Sequence, residues 1–259
     1  MNNIITNIII HSPLEQFEVI NIISIIAPIL GYVQFSITNL GLYLLIVLFT
    51  IIFSHYFTSN YNKVIPSKWG VLQETIYSSI LGMVREQIGS KNEIYFPLII
   101  SIFLLVLVTN LIGMVPYSFT PTGQLIVSLG LSVMIWIGVT LIGFQKHGIK
   151  FWSFFVPLGT PLILVPLLVN IELISYTARA FSLGVRLMAN ITAGHTLLKI
   201  ISTFVWQILH AGPVFFIIGL LPVILLTALT GLELAIAILQ AYVFSILTCS
   251  YIKDAVNLH

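Results

Sequence analysis

The chain has 259 residues, 58% hydrophobic and only 7% charged, with a net charge of +2 and a mean hydropathy of +1.09. An ordinary soluble domain carries charge on about a quarter of its residues, so that class is excluded, and 17 Phe, 10 Tyr and 4 Trp exclude a disordered chain. A single cysteine, Cys249, leaves no disulfide framework and no cysteine-ligated metal centre. What remains is a polytopic membrane protein, with residues 1–259 read as one membrane domain.

The first eleven residues are apolar and contain neither Lys nor Arg. They match neither an Arg-rich import peptide nor a secretory signal with a basic start. No Asp, Glu, Lys or Arg occurs between Glu18 and Lys63. A helix crossing the hydrocarbon needs about 20 apolar residues, and 38–57 is the predicted first span. Residues 67–88 predict a helix that lies on the membrane surface. Trp69, Leu72, Ile76, Ile80 and Met83 recur at spacings of three and four, among Lys68, Glu74, Arg85 and Glu86. The stretch between Glu93 and Lys146 is again free of charge and long enough for two spans, a helical hairpin over 95–144. Its turn falls in Met114–Gly123, where two prolines and a glycine occur.

Loop charges orient these spans. Lys63, Lys68, Arg85 and Lys91 follow the first span, and Lys146 and Lys150 follow the third, whereas the segment before span one and the turn at Met114–Gly123 have none. The N-terminus is therefore expected outside and the Lys- and Arg-bearing loops inside.

From residue 160 to 252 the pattern changes, because charges now sit within apolar sequence. No proline occurs between Pro166 and Pro213, and nothing around Ala178–Arg186 reads as a turn. Two unbroken helices of about 40 residues each rise roughly 60 Å, about twice the ~30 Å hydrocarbon thickness. They are expected as a steeply tilted membrane hairpin, reversing near His210–Pro213. Glu172, Arg179 and Arg186 are seven apart, as are Glu233 and Gln240, so each set shares a helix face. In an antiparallel hairpin, facing residues have position numbers of constant sum. Arg186 with Gln240, His195 with Glu233, and Glu172 with Asp254 give nearly the same sum, and its half falls at Pro213 or the next residue. The expected fold class is thus all-α integral membrane: an N-terminal transmembrane helix, an amphipathic surface helix, two transmembrane helices, and a hairpin of two long tilted helices.

A charge inside a membrane costs about 2.5 kcal/mol or more, so each such residue is a functional candidate. Arg179 is one helical period from Glu172 and reads first as a structural ion pair. Arg186 faces a neutral amide, Gln240, and lacks a carboxylate partner within the chain. An arginine keeps its proton at any workable pH, so Arg186 serves as a fixed positive barrier and favours ionisation of a nearby acid. Glu172, Asp254, His195 and Glu233 can exchange protons. As Glu172/Asp254 and His195/Glu233 pairs they flank that cation and resemble two offset half-channels. Asn190 and Gln240 support the same stripe. Asn110 in the second span either hydrates a channel or hydrogen-bonds between helices.

The run Arg186-Leu-Met-Ala-Asn190, then Ala193-Gly-His195, Glu233, Gln240 and the C-terminal Tyr251–His259 closely resembles subunit a of the mitochondrial F-type ATP synthase. The likeness extends over nearly the whole chain, with Ser12–Glu18 and the C-terminal run resembling the fungal forms. The resemblance implies a non-catalytic, proton-translocating stator subunit of the inner mitochondrial membrane. Arg186 matches the essential cation, Glu233 and His195 the intermembrane-space half-channel, and Glu172 and Asp254 the matrix half-channel. It implies as partners the c-subunit ring, the peripheral-stalk and other membrane-sector subunits, and lipid. It implies no nucleic acid, no cofactor and no metal. It also implies a cleaved leader over 1–11, an N-terminus in the intermembrane space and a C-terminus in the matrix. No Walker-type glycine loop occurs. Three other classes compete, the third a purely structural scaffold. A respiratory-chain haem or quinone subunit would need histidines facing each other in the spans, and only His195 lies well inside one. A secondary transporter often shows internal repeats, which are missing.

Overall fold

The computed structural model describes residues 12–27, 33–58, 67–115, 118–156, 164–210 and 213–256. The candidate leader over 1–11, the reversal residues 211–212, and part of the turn at Met114–Gly123 lie outside these residues. The order is a 3-10 turn Pro13–Phe17, strands β1 Asn21–Ala27 and β2 Val33–Thr38, and six α-helices. The helices are α1 Asn39–Thr58, α2 Lys68–Ile88, α3 Phe96–Gly113, α4 Leu125–His147, α5 Val165–His210 and α6 Pro213–Val256.

The fold is all-helical but for β1 and β2, an antiparallel pair that the span reading did not anticipate. Its residues are rich in Ile and Val, whose branched Cβ favours strand over helix. Asn39 closes its base. The amide Nδ2 donates to Glu18 O at 3.0 Å, while Oδ1 accepts from Ile20 N at 3.2 Å and Leu40 N at 2.8 Å. Thr38 Oγ1 accepts from Gly41 N at 3.2 Å, so the last strand residue also caps α1. Along α1 the aromatic rings of Phe49, Phe53 and Phe57 stack in sequence, 5.9 Å apart, on an exposed face.

Ser67 caps α2 by accepting from Gly70 N at 3.3 Å. The apolar residues of α2 divide between protein and open face: Ile80, Met83, Val84 and Ile88 are buried, whereas Trp69 and Leu72 are exposed. From Ile76, which packs on the core, and Tyr77, which meets Phe96 edge to face, the helix lies against its neighbours. From the last turn of α2, Arg85 Nε donates to Glu93 Oε1 at 2.8 Å.

Four described segments are long and apolar enough to cross a membrane: Asn39–Thr58, Ser90–Gly113, Leu125–Trp152 and Gly219–Val256. Helix α5 is not among them, because Glu172, Arg179, Arg186, Lys199 and its other polar residues lower its hydropathy. It is nevertheless one continuous helix of 46 residues, and α6 one of 44 with Pro222 inside. A rise of 1.5 Å per residue makes α5 roughly 69 Å long.

The core lies where α3, α4, α5 and α6 meet, with Ile99, Phe103, Val106, Val139, Leu187 and Phe244 among its buried members. Small residues let the helices approach. Ala237, Ala241, Ser245 and Thr248 make a buried strip on α6. Between α4 and α5, a Cβ on Gly184 would fall 2.5 Å from Ser132 Oγ and 2.9 Å from Ser128 O. At the C-terminal end of α4, the His147 ring Nε2 lies 3.0 Å from Val256 O, tying α4 to the end of α6. The hairpin α5–α6 is thereby held along one side, and its polar stripes come together on the other.

Candidate functional site

Helices α5 and α6 present three polar stations. At the first, His195 Nε2 lies 3.6 Å from Glu233 Oε1, with side-chain exposures of 15% and 7%. That separation exceeds hydrogen-bond length, and both Glu233 oxygens and His195 Nε2 are buried without a hydrogen-bond partner. Buried polar atoms of this kind are uncommon in native structures. The approach is possible because residue 194 is glycine: a Cβ there would stand 2.6 Å from Glu233 Oε1 and 2.9 Å from Cδ. Gly194 is a site residue that sequence reading left without a role. Its only sequence signal is a glycine inside a long helix, where glycine costs about 1 kcal/mol relative to alanine.

The second station is Arg186, roughly 13 Å further along α5, nine residues from His195. It is exposed, and among the described residues its guanidinium makes no ion pair or hydrogen bond. Gln240 makes no hydrogen bond with it. Instead Gln240 lines an open cleft of about 380 Å³ with Asn190, Gly194, Glu233 and Ile236. The stripe that carries Arg186 is therefore a free face of the hairpin.

The third station lies about 10 Å beyond Arg186. Glu172 and Asp254 both reach the same guanidinium, that of Arg179, which stands between them. Its NH2 is 3.7 Å from Glu172 Oε1 and its NH1 is 3.4 Å from Asp254 Oδ2. Two carboxylates at one place repel, and a shared guanidinium removes that repulsion. All three side chains are only partly buried, at 30–37% exposed.

Asn110 lies apart from these stations. It is 1% exposed; its Nδ2 donates to Ala237 O at 3.3 Å and its Oδ1 accepts from Thr122 Oγ1 at 2.9 Å. Those bonds tie α3 to α6 and to the turn before α4, which favours the packing alternative. Among the described residues, no cluster of three or more His, Cys, Asp or Glu could hold a metal ion.

Comparison with known proteins follows the same outline. Residues 40–253 match the family described as ATP synthase A chain. The chain is 52% identical to the ATP synthase subunit a of Mycosarcoma maydis, over 97% of this chain and 99% of that protein. It is 50% identical to that of Podospora anserina, over 96% and 94%, and 49% identical to that of Neurospora crassa, over 100% and 98%.

Proposed function

Because the chain belongs to the ATP synthase A chain family, and with it is a non-catalytic, proton-conducting subunit of the membrane sector, we propose that its α5–α6 hairpin is the stator face of a rotary proton path. The haem-subunit and transporter readings fall with that membership. The observation that carries the proposal is the order of charges along α5: an exposed, unpaired arginine between two stations able to exchange protons.

The rotor partner is a ring of c subunits, each bearing a membrane carboxylate that sweeps past the open face. A proton enters through the His195/Glu233 station and neutralises a ring carboxylate, which is then free to move into lipid. The next carboxylate arriving from the other side meets Arg186. The guanidinium favours its ionised form, and its proton leaves toward Glu172 and Asp254. Arg179 holds that pair beside water without joining the transfer. Since Arg186 never releases its own proton, it also blocks direct passage between the stations. Each charge moved through the potential supplies about 2.3 kcal/mol per 100 mV, and several such steps make one ATP elsewhere in the complex.

The Lys and Arg bias of the loops supports an N-terminus in the intermembrane space and a C-terminus in the matrix of mitochondria. The high identity to fungal proteins is consistent with that compartment. Peripheral-stalk and other membrane-sector subunits complete the set of partners, with lipid around α1.

The test is Arg186→Ala in complexes shown to be assembled, with ATP synthesis and proton uptake followed in vesicles. Synthesis is lost and passive proton leak increases. Arg186→Lys also fails, because a lysine enclosed between this face and the rotor ring sheds its proton where arginine does not. Normal coupled synthesis by the assembled alanine variant would reduce Arg186 to a surface charge and end the proposal.

A further inference from the structure

The imidazole of His195 is held by no hydrogen bond among the described residues, and Glu233 lies beyond hydrogen-bond reach at 3.6 Å. The last torsion of a histidine is broad and roughly two-fold, so packing must decide which ring atoms face the carboxylate. One ring does the packing. Phe17, in the turn Pro13–Phe17, meets His195 edge to face, with centroids 6.3 Å apart and planes at 77°. T-shaped pairs of this kind have a preferred geometry.

Phe17 comes from a segment about 180 residues away in sequence, and independent contacts hold it there. Gln124 Nε2 donates to Phe17 O. Lys199 Nζ, one helical turn beyond His195, donates to Ser12 O at 3.3 Å. Gly123 leaves room for the ring, since a Cβ there would lie 2.8 Å from Phe17 Cε1 and 3.0 Å from Cδ1. Thr192 Oγ1, on α5 three residues before His195, donates to Gly123 O at 3.4 Å. The turn, the α3–α4 connection and α5 therefore close a circuit around the imidazole.

We propose that Phe17 is a positioning residue for proton entry: the docked N-terminal turn clips its ring against His195 and so fixes the imidazole toward Glu233. The inference rests on the reading of His195 and Glu233 as the entry station. Phe17 itself exchanges no proton; it acts through the histidine.

The test uses the assembled complex in liposomes, with the pH on the two sides varied independently. Phe17→Ala changes the external proton concentration for half-maximal ATP synthesis by about two- to tenfold, the span to which an aromatic pair's contribution converts. The dependence on internal pH stays as it was. Phe17→Tyr, which keeps the ring edge, restores the parent profile. Gly123→Ala pushes a methyl group into the same ring and reproduces the external shift, which keeps the test decisive where Phe17→Ala does not assemble. In a His195→Gln background, Phe17→Ala adds no further change. An unchanged external profile in both Phe17→Ala and Gly123→Ala, or an equal shift on both sides, overturns the proposal. If His195→Gln itself leaves the external profile untouched, it is the entry-station reading that fails.

Discussion

Gly194→Ala is the sharpest perturbation the structure offers. The new methyl group would lie 2.6 Å from Glu233 Oε1, 2.9 Å from Cδ and 3.2 Å from Cγ. Ordinary contact begins near 3.4 Å, so the carboxylate must retreat by roughly 0.8 Å, the difference between 3.4 and 2.6 Å. Glu233 is 5% exposed between two packed helices. Its carboxylate is the far end of a flexible side chain that lines the open cleft, so it yields by leaving its rotamer, at about 0.5–1.5 kcal/mol. If that cost falls on transfer between His195 and Glu233, proton entry slows roughly two- to tenfold. The assay is proton-driven ATP synthesis by reconstituted complexes, normalised to assembled enzyme on native gels. Gly231→Ala on α6 is the control, because nothing lies within 4 Å of a Cβ there and alanine favours helix. Glu233→Asp, one methylene shorter, makes room for the methyl group and recovers part of the lost rate when combined with Gly194→Ala. Equal rates for Gly194→Ala and Gly231→Ala would refute the argument that glycine is required by the carboxylate.

Two further outcomes follow from the other stations. Arg179→Gln leaves the Glu172 and Asp254 carboxylates without their shared cation, so their repulsion is uncompensated and proton release through this station, as proposed, slows. Adding Asp254→Asn removes the repulsion, and the double variant releases protons faster than Arg179→Gln alone, read from the internal-pH dependence of synthesis. Asn110→Leu leaves the Thr122 hydroxyl without its acceptor, costing about 1–3 kcal/mol. It lowers the thermal stability of the complex, while proton flux per assembled enzyme is unchanged; lost flux at normal stability would make Asn110 a channel residue.

Much of the architecture was legible because it follows from local rules. The lack of proline between Pro166 and Pro213 removes the usual helix breaker, and α5 runs through its charges without interruption. The seven-residue spacing of Glu172, Arg179 and Arg186 places them on one face whatever the helix packs against. The facing of His195 and Glu233 was also accessible, since an antiparallel pair of unbroken helices has a single register once its reversal is located. Long-range contacts are different in kind. The sequence contains Arg179, Glu172 and Asp254, but a guanidinium is long enough to pair with either acid. Only the position of α6 against α5 decides that it takes both. The Gly194 requirement is set by the rotamer of a carboxylate 39 positions later, and no periodicity reports a rotamer. The β1–β2 hairpin was hidden because an Ile-rich run of seven residues satisfies strand and buried-helix patterns alike. Phe17 is the extreme case. Hydropathy treats it as one apolar residue near an end, and its placement on His195 depends on two hydrogen bonds and one missing Cβ contributed by distant segments. Helix, face and register arise from neighbours along the chain, whereas these contacts arise when separate segments share one volume, and that is decided by packing.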